Sequence, residues 1–558
     1  MKHLLLLLSI IFLSESVIAQ WTSDTTTNTI VRDTSDATTP LIASIPDGST
    51  YVSWFEFGGS NYDLHMQLLD SNGYKKWGPE GIVVSNQLQN SALFRYDLKA
   101  DHNGNAIVAF QDERTGSLNA VVYKIDINGN SLWGPNGITL IDSLAADGIS
   151  PSIGITALND VVVAWNSNTP TSKWISAQKF SPSGSFLWSS IYRIRDTLNN
   201  LNYSRAELFP SGSDDIQLIY VEENGTFPGV TSTLYTQRIH VGGNNFWPNG
   251  IQVSTKTIPY FFFPQPVPDD NGGFFLSFNT SNPVNPALND VYVQNVDYNG
   301  NLWSATGVEA ANSITNHKLV SSSIYVSNTN EYWILLQVLD GGQGSSGVSV
   351  QKFDALGTPL LGADGTVIIP FDPFYYRPNT INYSVNGVIL TLTAGTFGQE
   401  HIRAIKLDDN GIPVWPTGGV SLCAVNSNKD DIQSGNFMYD NLVIVWQDDR
   451  NGSGVFAQNI TDSGYLGIVA NVSQIANENN IQLFPNPSAH PSLYFSSDNR
   501  TERTITLKDV QGKVIESISI SSTAATYSLE RFLNLSIGIY FVSVDNLSER
   551  KFFKWIKE

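Results

Sequence analysis

Asp126-Ile127-Asn128-Gly129-Asn130-Ser131-Leu132-Trp133 is the stretch that decides the fold. Asn-Gly supplies the positive φ of a tight hairpin, and a tryptophan follows four residues after the glycine. The same arrangement recurs at Asn72-Gly73 before Trp77, Ser183-Gly184 before Trp188, Gly242-Gly243 before Trp247 and Asn299-Gly300 before Trp303. It continues at Leu356-Gly357 before Leu361, Asn410-Gly411 before Trp415 and Ser463-Gly464 before Leu466. The eight copies repeat with a period of about 56 residues, the mark of a repeat architecture.

Upstream of each turn lies an apolar run in constant phase, as in Tyr51-Val52-Ser53-Trp54, Ile107-Val108-Ala109-Phe110 and Leu442-Val443-Ile444-Val445-Trp446. Downstream comes Gly-Ile or Gly-Val and another short strand, as in Gly81-Ile82-Val83-Val84. Each unit therefore holds four short strands that cannot bury both faces alone, which predicts an all-β chain whose units stack as the blades of a β-propeller. Residues 20–476 are expected to form eight blades. Seven is the alternative, because the last copy, Leu466-Gly467-Ile468-Val469, is degenerate and would only complete the ring. A tryptophan repeated once per unit reads as a wedge between neighbouring blades rather than as a catalytic or sugar-stacking residue.

Composition agrees. The chain has 558 residues, 44 glycines, 25 prolines and 11% aromatic residues but only 15% charged ones, which favours short strands and many turns. Its net charge of −20 argues against binding nucleic acid or an anionic membrane, which needs clustered Lys and Arg. That excess lies in residues 20–476, since residues 477–558 carry equal numbers of acids and bases. Cys423 is the only cysteine, so neither an intrachain disulfide nor a cysteine-based metal site is available. It falls in the last strand of its unit and is expected to be buried and inert.

Lys2 and His3 precede an apolar run from Leu4 to Leu13, followed by Val17-Ile18-Ala19. This is the layout of a secretory signal over residues 1–19, cleaved between Ala19 and Gln20. The run is too short to span a bilayer, and no transmembrane segment is expected in the mature chain. The other end carries four ordered blocks: Leu483-Phe484-Pro485-Asn486-Pro487, Lys508-Asp509-Val510-Gln511-Gly512-Lys513-Val514, Leu535-Ser536-Ile537-Gly538-Ile539-Tyr540-Phe541-Val542 and Arg550-Lys551-Phe552-Phe553-Lys554. Residues 477–558 thereby resemble the C-terminal sorting domain of the type IX secretion system. The resemblance implies a small immunoglobulin-like β-sandwich, export across the outer membrane with the secretion machinery as partner, and a sorting motif carried by Pro485, Asn486, Pro487, Asp509, Gly512, Gly538 and Tyr540. The turn-plus-tryptophan pattern is also similar to the docking repeat of pyrroloquinoline-quinone propellers, but the vicinal cysteines of those enzymes have no counterpart here, and no cofactor is expected.

No nucleophile-base pair, metal-ligand cluster or phosphate loop stands out, and no catalytic residue is assigned. Two charged clusters at the ends of the apolar runs resemble each other: Gln111-Asp112-Glu113-Arg114 and Gln447-Asp448-Asp449-Arg450. If the ring closes, Glu56 joins them in an acidic sector that would hold calcium or sugar hydroxyls. The structural alternative is an Asp-Arg pair pinning each hairpin. Tyr260, Phe262, Tyr375 and Tyr376 lie in connections between units, where they would offer sugar-stacking platforms or a protein-binding patch. Otherwise they enter the core. The expected function is a secreted or surface-displayed module that binds a glycan or a protein. The alternatives are a polysaccharide lyase or hydrolase on the same scaffold and a structural component of the cell surface.

Overall fold

The computed structural model describes residues 21–34, 36–89, 92, 94–199, 201–212, 214–467, 481–484, 491–495, 503–510, 512–520, 526–529, 534–545 and 550–557. Every regular element among them is a β-strand. The chain divides into two compact units, Met1–Val469 and Ala470–Glu558.

Within the first unit the described strands form eight four-stranded antiparallel sheets. The first contains Ala37–Ser44, Thr50–Phe57, Tyr62–Leu69 and Ile82–Ser85, and the next six repeat this consecutive order. The eighth differs. Lys429–Ser434, Leu442–Asp448 and Gly454–Ile460 are completed by Thr29–Arg32, which pairs with Gly454–Ile460 in the register Thr29↔Ala457 and Ile30↔Phe456. In the seven-blade alternative Leu466-Gly467-Ile468-Val469 completes the ring. The outer strand comes from the other end of the unit instead, which is why that copy looks degenerate; Ile468 and Val469 lie outside the described residues.

The middle strands are apolar almost throughout because sheets cover both of their faces. Ala106–Asp112 and Gly454–Ile460, for example, are buried at every position. An apolar cluster fills each junction between consecutive sheets. The junction of the eighth sheet with the first is filled by Val31, Ala37, Val52, Trp54, Val445 and Ala457, so the sheets close into a cycle. Each fully buried side chain of this size contributes about 1.5–3 kcal/mol relative to exposure.

The turn-plus-tryptophan repeat links neighbours. Trp77 Nε1 donates to the Ile127 carbonyl in the turn of the following unit (3.0 Å), Trp133 to Pro182 (3.2 Å), Trp188 to Val241 (2.8 Å) and Trp303 to Ala355 (3.0 Å). In each turn an acidic or polar residue caps the loop: Asp126 Oδ1 accepts from the backbone N–H groups of Asn128 and Asn130, and the Gly129 N–H donates to the Asp126 carbonyl.

In the second unit, Ile481–Phe484, Ser492–Phe495 and Thr526–Ser528 form one sheet, and Val514–Ile520, Arg503–Lys508, Gly538–Asp545 and Arg550–Lys557 another. The two share a core of Leu493, Ile505, Leu507, Val542, Val544 and Trp555. Asp509 makes the same capped turn as Asp126, with Gly512 at φ 81°. Tyr540 donates to the Ser536 carbonyl at 2.8 Å and packs against Trp555. Ala19, Gln20 and Pro485 to Pro487 lie outside the described residues.

Candidate functional site

The innermost strand of each sheet is an edge, unpaired on the side that faces the axis, and prolines accumulate there: Pro40, Pro151, Pro210, Pro268 and Pro378. Several of these strands also carry a bulge at one matched position. Register jumps between Thr38 and Leu41, Ile149 and Ser152, Ser204 and Glu207, and Asp430 and Gln433. Within the jumps Thr39, Ser150, Arg205 and Asp431 sit at φ of 50–57°. Such backbone costs of order 1–3 kcal/mol per residue and re-aims the side chains beside it.

The Gln-Asp pairs singled out in the sequence hold this arrangement. Gln447 Oε1 accepts from Thr38 Oγ1 (2.7 Å) and the Thr39 N–H (3.3 Å), and Gln111 Oε1 accepts from the Ser150 N–H (3.0 Å), in each case reaching the bulge of the next sheet. Asp112 is fully buried and gripped by Arg114 through Nε (2.8 Å) and Nη2 (2.6 Å). Asp448, also fully buried, accepts from Ser427 Oγ (2.7 Å), Trp446 Nε1 (2.8 Å) and Arg450 Nη2 (2.6 Å), with Lys429 Nζ at 3.1 Å. Burial alone would raise its pKa, but these donors hold it down to about 2. Arg450 also reaches Asn28 Oδ1 (3.0 Å) and Cys423 Sγ (3.0 Å), and burial raises the Cys423 thiol.

Glu56 is held by two 2.8 Å bonds from Arg32 on the closing strand. Asp449 accepts from Asn428 (3.1 Å), and the Glu113 N–H bonds to the Leu88 carbonyl. Glu56, Asp112 and Asp448 thus lie on consecutive sheets, each with its own arginine. Among the described residues no group of three or more His, Cys, Asp or Glu is placed to hold a metal ion. The aromatic candidates sit at two separate junctions. Tyr260 and Phe262 lie between the fourth and fifth sheets, where Phe262 packs on the junction core. Tyr376 opens the inner strand of the seventh sheet and packs on the core between the sixth and seventh, while the Tyr375 carbonyl accepts from the Gly395 N–H.

None of the charged and aromatic residues singled out in the sequence lines the main cavity. That cavity, of about 900 Å³, is bounded by the inner strands of the first, second, third, fourth and eighth sheets and by the segment 263–268. Its chemistry is carried by Arg95, Asp97, Lys99 and Glu207, which the sequence reading passed over. The signal was present: Arg95-Tyr96-Asp97-Leu98-Lys99 alternates strictly, with buried Tyr96 and Leu98 pointing the other way.

Arg95 pairs with Glu207 and lies over the Phe263 ring at 4.8 Å. Glu207 also accepts from Ser152 Oγ (3.3 Å). Asp97 accepts from the Ile153 N–H (2.8 Å), and Lys99 stands 3.5 Å from it. Burial raises the pKa of Glu207, with Asp97 adding to the effect and Arg95 and Lys99 opposing it. Asp97, in turn, raises the pKa of Lys99. The side chains of Arg95 and Lys99 are 43% and 52% exposed, against 18% for each of their acidic partners, so on this wall a ligand meets the cations first. Asp431 stands on the wall from the eighth sheet, its pKa raised by desolvation against the surrounding protein and by Asp430.

Residues 482–558 match the family described as the secretion system C-terminal sorting domain. This segment is a type IX sorting domain, and the chain is exported across the outer membrane to the cell surface or beyond. No curated protein matches the chain. Among solved structures it is similar to a polysaccharide lyase of family PL25, an ulvan lyase (12% identity, TM-score 0.41, covering 80% of this chain and 95% of that one). It is also similar to the polysaccharide lyase Uly1 (7%, TM-score 0.39, 75% and 89%) and to an α-L-arabinanase of Penicillium chrysogenum complexed with arabinobiose (11%, TM-score 0.31, 56% and 93%).

Proposed function

We propose that the exported chain is an eight-bladed β-propeller, followed by an immunoglobulin-like sorting sandwich, that binds a glycan in its central cavity. The observation that carries this reading is the ladder of Arg95, Asp97, Lys99 and Glu207. It presents fixed donors and acceptors from rigid inner strands into a cavity within the usual size range of small-ligand sites, about 300–1,000 Å³. Each carboxylate is already engaged by a cation, hydroxyl or backbone N–H, an arrangement suited to orienting hydroxyl and acidic groups.

The test is retention of a polysaccharide panel on the exported chain and on an Arg95→Ala/Lys99→Ala variant, with calcium and with chelator, followed by measurement of glycan mass. Retention with unchanged mass that is lost in the variant supports the binding module.

One observation favours a degradative alternative: Glu207, whose pKa burial raises, stands with Asp97 on one wall of the cavity, and a carboxyl so placed beside a second one suits acid-base work. Shortened or unsaturated products would establish that reading in place of binding.

A further inference from the structure

Beside Arg205, between the fourth and fifth sheets, three aromatic rings form a stair on the loops that lead to the cavity wall. Phe227, in the loop between Asp215–Asn224 and Thr231–Ile239, lies 5.4 Å from Tyr260, and Tyr260 lies 5.1 Å from Phe261 at 82°. Phe261 is 77% exposed and Phe227 66%. Large rings so open to water on adjoining loops contribute little to the core, yet the backbone beneath them is held from inside the protein.

Arg205, buried and at positive φ, donates to the carbonyls of Tyr260 and Phe262 (3.0 Å to the latter). Its guanidinium stands 5.4 Å from the Tyr260 ring centroid. Arg205 is fixed in turn by Glu223 (2.8 Å) and Ser232 (3.2 Å), and Glu223 by Ser204 (2.6 Å) and Lys173 (3.2 Å). A buried ion pair thus sets the position of an exposed aromatic loop. The loop runs directly into the cavity wall, because Arg205, Phe263 and Pro264 are lining residues. Phe263 carries Arg95 on its face.

We propose that Phe227, Tyr260 and Phe261 form an outer subsite on which the pyranose rings of a glycan stack while its end occupies the charged cavity. This rests on the glycan reading above and adds a direction and a length dependence to it. A sugar presents an apolar C–H face to an aromatic ring and a hydroxylated edge to hydrogen-bonding groups. The rim offers rings and the cavity offers charges, in that order, along one continuous surface. A folded protein partner would meet the rim but could not fill the cavity behind it.

The probes are cello-oligosaccharides and oligoglucuronides, each from disaccharide to octasaccharide, titrated calorimetrically into the exported chain. With wild type, affinity is expected to rise with length. Phe261→Ala and Phe227→Ala are expected to weaken the long members roughly three- to ten-fold, the scale of an aromatic contact. The disaccharides and the melting temperature stay unchanged, and Phe261→Trp restores length dependence. Equal loss at every length, or none, overturns the outer subsite while leaving the cavity reading intact. Failure of wild type to bind any member of either series overturns the glycan reading together with this one. A cell-surface protein whose capture is lost in Phe261→Ala would make the rim a protein interface instead.

Discussion

Trp21 seals the ring by sitting on Gly73. Its Nε1 donates to the Ser71 carbonyl at 2.9 Å, its backbone N–H donates to the Asn72 carbonyl at 3.0 Å, and a Cβ on Gly73 would stand 2.6 Å from its ring. It occupies the place that Trp77 takes on the next turn, so a residue from the beginning of the unit completes the series of inter-sheet tryptophans.

Removing that seal has a predictable cost. Trp21→Ala, at a site only 4% exposed, should destabilise the first unit by about 3–5 kcal/mol in urea unfolding. Gly73→Ala, which combines positive φ with a clash, should cost clearly more than Gly116→Ala, where φ is +89° but nothing lies within 4 Å. The latter should lose only about 1–2 kcal/mol from backbone strain. Equal losses would mean that the Trp21 contact contributes nothing.

Asp448 sets an acid limit. Its folded pKa is lowered from 3.8 to about 2, so its contribution is full above its unfolded value and disappears as pH falls through the folded one. Wild type should therefore lose about 2 kcal/mol between roughly pH 5 and pH 1 through this group alone. Asp448→Asn should remove that part of the slope. It should also cost about 3–5 kcal/mol at neutral pH, because Lys429 and Arg450 are left without their buried counter-charge. Stability-pH profiles of the two proteins decide it.

Glu207 makes binding depend on pH. Burial raises its pKa, assisted by Asp97 and opposed by Arg95 and Lys99. As pH falls through that raised value, Glu207 becomes neutral and releases Arg95. Oligoglucuronide affinity should rise over this interval and fall again only when the sugar carboxylates protonate. Glu207→Gln should show the higher affinity on the alkaline side of that value, with no rise on acidification. A wild-type profile that is flat, or that falls monotonically, would contradict this.

Deletion of residues 482–558 should leave the chain inside the outer membrane of a host that carries the type IX machinery. Cell fractionation reads this directly, and appearance of the deleted form outside the cell would show that another signal suffices.

Much of the strand plan was legible because Asn128-Gly129 and Trp133 are used for local reasons, φ and a wedge, that repeat wherever the geometry repeats. What escaped was long-range. Thr29–Arg32 has no local feature that marks it as a partner of Gly454–Ile460. The charged clusters were visible, yet their chemistry depended on Arg32 and Lys429 arriving from elsewhere in the chain. Arg95, Asp97 and Lys99 were missed for a related reason: alternation shows that one face of a strand is wet, but only the cycle of sheets shows that this face meets Glu207 of the fourth sheet.

The closing strand also imposes an order of events on the living cell. Thr29–Arg32 is translated long before Gly454–Ile460, so the eighth sheet cannot form until nearly the whole repeat array has been made. The sorting domain begins only about twenty residues later in the chain. A chain terminated before Gly454 therefore lacks both a strand of its final sheet and its sorting domain. Closure of the cycle and possession of the sorting domain thus both require nearly the full length of the chain.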